Sequence, residues 1–137
     1  MWRPVIWVTA VLACPAHADP ARSIAEIVVT DGLAMHADRA VHPEKPGPDF
    51  AAAAARRAQV LQDVRAVLSA ADSGTVQRFT TGIGPSGIKG EADYTAWQVV
   101  AFWLAHGETV TEIARVKKTD APARVAEAID LMLKEPR

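Results

Sequence analysis

The chain has 137 residues with 15 basic and 16 acidic side chains, a formal charge of −1, which offers no electrostatic footprint for nucleic acid or an anionic membrane. Half of its residues are hydrophobic, enough for one ordinary core. The single cysteine, Cys14, excludes an internal disulfide.

The first eighteen residues carry the three parts of a cleavable signal peptide in order. Arg3 is the positive end, Pro4 to Cys14 is an uncharged and largely apolar run, and Ala16-His17-Ala18 is a small-x-small site. Cleavage is expected between Ala18 and Asp19, leaving 119 of the 137 residues as one domain, 19–137, with no cysteine. Eleven apolar residues are too few to span a bilayer, which takes roughly 20 as a helix, so no membrane span is expected. Val11-Leu12-Ala13-Cys14 also resembles a lipobox, and lipidation at Cys14 would replace the soluble product with a diacyl-anchored one. The many Ala and Arg residues suggest a GC-rich bacterial genome, with the periplasm or the exterior as the destination.

Asp19-Pro20 is a good helix start, a capping residue followed by proline at the first helical position. Ser23 and Glu26 have capping-box spacing, and Ile24, Ile27, Val28 and Met35 share a helical face. Thr30-Asp31-Gly32 interrupts that pattern, so residues 24–30 read either as helix, which we favour, or as a strand ending in a turn. Three prolines and a glycine make 43–48 a linker. Asp49 is expected to cap one long helix from about Phe50 to Ala71, with Val60, Leu61, Val64, Val67 and Leu68 as its stripe. Asp72-Ser73-Gly74 is expected to end it, Gly74 taking the left-handed cap. After a glycine-rich loop at 80–90, Tyr94 to Ala105 is apolar almost all round, as expected of a buried central helix. Gly107 stops it. Thr109 and Glu112 start a short helix by a second capping box, and Asp120-Pro122 starts a last one with Val125, Ile129, Met132 and Leu133 inward. The expected fold is therefore all-α, a small bundle of four to five helices.

Gly82-Ile83-Gly84-Pro85-Ser86-Gly87 matches the string G-x-G-x-x-G, but its context is wrong for a dinucleotide. The next helix opens several residues later, and Glu91 and Asp93 in its first turn would repel a phosphate. Nor is it a Walker A loop, since Ile88 stands where the lysine belongs. Read functionally, the loop supplies Thr80, Thr81, Ser86, Lys89, Glu91 and Asp93 as candidate binding residues; read plainly, it is a connector. Glu91 and Asp93 also invite a hydrolase, but two acids two residues apart diverge, and first-turn carboxylates are expected to cap and stay ionised. His36, His42 and His106 have no partner at ligand spacing, so no metal and no cofactor is expected. Tyr94, Trp97, Phe102 and Trp103 are expected mostly in the core. Val110 to Arg115 resembles the first element of a helix-turn-helix only briefly, with Lys118 at the turn position and Glu127 and Asp130 on the would-be reading helix. With no catalytic constellation legible, the expectation is a non-catalytic exported binding, inhibitor or accessory factor acting on another envelope protein. A small envelope hydrolase using residues 82–93 is the alternative, and a nucleic-acid binder a remote one.

Overall fold

The structure, a computed structural model, describes residues 21–135. The expected signal peptide with its Ala18–Asp19 junction, the expected lipidation position Cys14 and the expected Asp19-Pro20 helix start lie outside the described residues. Within them the chain is all-α, seven helical segments with no strand. No helix among the described residues is long and apolar enough to cross a membrane.

Helix α1 (Ile24–Val41) begins where the capping chemistry puts it. The Ser23 hydroxyl accepts from Glu26 N at 3.2 Å and the Glu26 carboxylate accepts from Ser23 N at 2.9 Å. Two more first-turn amides are satisfied from elsewhere in the chain: Ile24 N donates to Ala70 O and Ala25 N to Leu68 O, each at 2.9 Å. The helix start is thereby seated on a turn forty residues away in sequence. Loss of the Ser23 hydroxyl in Ser23→Ala is expected to cost about 1 kcal/mol, read as a lowered urea midpoint with unchanged slope. Residues 24–30 are helical, and the helix continues through Gly32 without interruption.

The single helix expected over Phe50 to Ala71 is instead divided into α2 (Ala51–Ala55) and α3 (Arg57–Arg65), with turns over 66–69. Arg56 breaks it at φ −122° and ψ 32°, outside the helical region, and its guanidinium donates to Ser86 O at 2.6 Å. Asp72 does not end a helix but starts one, α4 (Ser73–Thr80), by accepting from Thr75 N at 2.9 Å. Gly74 is therefore inside a helix and has no positive φ. The stripe residues Val60, Leu61, Val64 and Leu68 are nonetheless buried as the periodicity required.

Helix α5 (Glu91–Ala105) is the central element. It packs on α1 most extensively and also on α3, α4 and α7, which is why it has no polar face. Tyr94 and Trp103 are buried, while Trp97 and Phe102 are half-buried. Gly107, at φ 90°, turns the chain after α5. Helices α6 (Val110–Ala114) and α7 (Ala121–Lys134) close the bundle, with Ile113, Val125, Ile129 and Met132 inward. Arg65 on α3 and Asp130 on α7 form a two-point pair at 2.7 and 2.8 Å across the exposed side.

Candidate functional site

The glycine-rich loop between α4 and α5 is an ordered structure rather than a simple connector. Thr81 N and Gly82 N both donate to Gln77 O, at 3.1 and 2.8 Å, closing the end of α4. Gly84 N donates to Ile88 O and Gly87 N to Gly84 O, while Gly90 N donates to Gly82 O. Ile83 and Lys89 face each other as an antiparallel bridge. Pro85 holds the second position of the 84–87 turn, where its fixed φ is favoured, and Gly87 takes φ 80° at the fourth.

Burial along this segment alternates with period two. Thr81, Ile83, Pro85, Gly87 and Lys89 are exposed, whereas Gly82, Gly84, Ser86, Ile88 and Gly90 face inward. That alternation explains the glycines that looked like a nucleotide motif. A Cβ at Gly82 would stand 3.0 Å from Gln77 O and Arg78 Cα, and one at Gly84 would lie 2.2 Å from Glu91 Oε2. They are glycines because the bundle lies directly beneath them.

Glu91 is the clamp under the loop. It is 0% exposed, and its Oε1 accepts from Ser86 N at 3.1 Å and from the Ser86 hydroxyl. Its Oε2 is buried without a hydrogen bond, as is Oδ2 of Asp63 on α3. Burial pushes the Glu91 carboxyl above the usual carboxylate range, and the neighbouring Asp63 adds to the rise, against the lowering effect of Ser86. A proton on Glu91 resolves both orphans, because a protonated Oε2 can donate to Asp63 Oδ2. Neither first-turn acid caps α5, and both carboxyls are raised where the helix dipole was expected to hold them down. Gly90, at φ 72°, is the residue before α5 and no side chain caps the helix; removal from water outweighs a dipole contribution of about 0.3–1 kcal/mol.

Asp93 diverges from Glu91, as residues two apart on a helix must. It lines a groove of about 460 Å³ with Asp49, Phe50, Ala53, Ile88 and Lys89. Burial raises its carboxyl, and the charge of Asp31 on α1 raises it further. The six loop candidates thus fall into separate places. Ser86 and Glu91 are inside, and Thr80, Lys89 and Asp93 border the groove. Thr81 stands exposed at the end of α4, with its hydroxyl turned back to Gln77 O at 3.5 Å. Sequence reasoning missed Asp63, Arg56, Asp49 and Phe50, which reach this region only through tertiary folding. The inward row was findable, since Gly82 and Gly84 have the two-residue spacing of one face of an extended chain.

The histidines are dispersed. His36 stacks on Trp97 with ring centroids 3.9 Å apart and its Nε2 lies 3.0 Å from Trp97 O. His42 meets Glu44, and His106 Nδ1 bonds Phe102 O at 2.7 Å at the end of α5. No group of three metal-ligating side chains occurs among the described residues. No protein-family model, curated protein or solved structure matches this chain.

Proposed function

We propose that this chain is a non-catalytic exported protein, a binding, inhibitor or accessory factor for another envelope protein, that docks through the outward row of the 80–90 loop. The observation that carries the reading is the bracing of that loop. Glu91 and Arg56 hold Ser86 and three backbone bonds tie the loop to itself, while Ile83 remains 62% exposed at its surface. One exposed isoleucine means little by itself. On a segment whose shape is already fixed, however, binding a partner forfeits little conformational entropy, and entropy is a main cost of docking a loop. Export rests on the N-terminal sequence pattern alone.

A hydrolase is the less favoured reading. Glu91 has the raised carboxyl that a general acid needs, but it is completely covered, and Ser86 and Asp63 are its neighbours rather than a substrate cleft.

The test is a photo-crosslinking amino acid placed at position 83 and, as a control, at the exposed position 123 on α7, in cells producing the full chain. A discrete adduct in the envelope fraction from position 83, without its counterpart from position 123, is the expected result. Adducts of equal strength at both positions, or none at 83, would overturn the docking reading.

A further inference from the structure

The groove beside the loop holds two carboxylates and one lysine, and one of the carboxylates is unpaired. Asp93 is half-buried, yet its carboxylate accepts no hydrogen bond and joins no ion pair among the described residues. Its Oδ2 lies close to Gly90, where a Cβ would be 3.6 Å away, and both residues line the groove. The charge of another acid, Asp31, acts on Asp93 and raises its carboxyl. Asp31 itself is engaged by Arg22 at 3.7 Å. A second carboxylate, Asp49, borders the same groove, with its Oδ1 holding Ala51 N at 3.1 Å.

Apart from Lys89 and Thr80, the remaining walls are apolar, and one is aromatic. Phe50 is fixed by an edge-on contact with Tyr94, ring centroids 5.6 Å apart at 71°, and by Trp97 at 6.5 Å. Ala53 and Ile88 pack with it. An unpaired carboxylate next to a fixed aromatic ring and an aliphatic floor suits a flat cation carried on an apolar stem. Guanidinium fits that description better than ammonium, because it is less strongly hydrated, stacks on aromatic faces and binds carboxylate through two parallel N–H groups.

We infer that this groove is an arginine pocket, in which an arginine side chain of the docked protein lays its methylenes on Phe50 and Ile88 and places its guanidinium on Asp93. The pocket opens beside the exposed Lys89 end of the loop row, so one partner surface covers both. This inference rests on the docking reading for the source of the arginine, but the pocket's chemistry is testable without any partner.

The probe is a capped Gly-Arg-Gly tripeptide titrated into the ¹⁵N-labelled full-length protein, with the citrulline peptide as its neutral isostere. Saturating shifts are expected at the amides of Ala53, Lys89, Gly90 and Asp93. The citrulline peptide and the Asp93→Asn protein are each expected to lose about tenfold in affinity. A well-dispersed amide spectrum for Asp93→Asn establishes that it is folded, and Glu127→Gln, which removes an exposed carboxylate on α7 outside the groove, is expected to retain binding. No shifts with the arginine peptide, equal shifts with citrulline, or unchanged affinity in Asp93→Asn would each overturn the pocket. An adduct at position 83 with a failed titration leaves docking standing and removes the pocket. Binding of the peptide without an adduct at 83 does the reverse.

Discussion

Gly32→Ala is expected to destabilise the protein by about 2 kcal/mol, and Gly32→Val by enough to leave little folded chain. Glycine in a helix interior normally costs about 1 kcal/mol relative to alanine, so propensity alone gives the opposite sign. Contact decides it. Gly32 is buried in the middle of α1, and a Cβ there would stand 2.5 Å from Val100 Cγ2 and 2.6 Å from Ala96 O on α5. The valine methyl can rotate away, but the carbonyl is part of the α5 backbone and cannot. The two helices would have to separate along the most extensive interface in the molecule, and overpacking of this kind costs roughly 1–3 kcal/mol, with the backbone clash placing it at the upper end. Against a total stability of about 5–15 kcal/mol this is a large loss. Gly74→Ala is the matched control, since Gly74 is also helical but exposed, with only Asp72 Oδ2 near, at 3.7 Å. It is expected to be neutral or stabilising by up to about 1 kcal/mol. Urea midpoints for the two variants, side by side, decide the matter; a Gly32→Ala protein as stable as the wild type would refute the close-packing account.

The same residue marks the limit of what was legible beforehand. Thr30-Asp31-Gly32 interrupts the helical pattern and leaves a strand ending in a turn as the alternative to the favoured helix, because glycine and aspartate usually break helices by local preference. Here the glycine answers to a neighbour that the sequence does not display, the carbonyl of Ala96 sixty-four positions on. The break at Arg56 is of the same kind. Nothing between Phe50 and Ala71 interrupts the apolar stripe, and the residue at the kink makes its contact with Ser86, thirty residues away. The features that could be read were those whose cause is short-range. Ser23 with Glu26 and Thr109 with Glu112 form their caps within one turn. The stripe of α7 and the all-round apolarity of α5 report burial directly. For the candidate site, the loop was located but its division was not. Which acid turns inward depends on where α3 brings Asp63, and which borders the groove depends on where α2 brings Phe50.

Stability that falls as pH rises, and that a glutamine removes, is expected from Glu91. Its carboxyl is raised in the folded state by burial and by Asp63, so the folded protein retains the proton more tightly than the unfolded chain. The stabilisation linked to that proton is fully present below the ordinary glutamate value of 4.5. It is lost as pH climbs from there through the raised value, which is the reverse of acid denaturation. Asp93 contributes in the same direction, whereas Asp72 and Asp130, both lowered, contribute stability that is lost only on acidification. Comparison of variants separates these effects. Glu91→Gln keeps an oxygen for Ser86 N and its hydroxyl, and supplies an N–H for Asp63 Oδ2 without a proton that can leave. It is expected to match the wild type within about 1 kcal/mol at pH 4.5 and to exceed it at pH 8, because the wild type weakens while the variant does not. Glu91→Ala is expected to lose about 2–4 kcal/mol at both values, since it strands the buried Ser86 donors and opens a void under the loop. Asp63→Asn removes the neighbouring acid and offers Glu91 a donor, so it should shift the wild-type decline to lower pH. Urea midpoints across pH 4.5 to 8 for the four proteins provide the test, and a wild-type curve parallel to that of Glu91→Gln would show that Glu91 is ionised in the folded protein throughout that range.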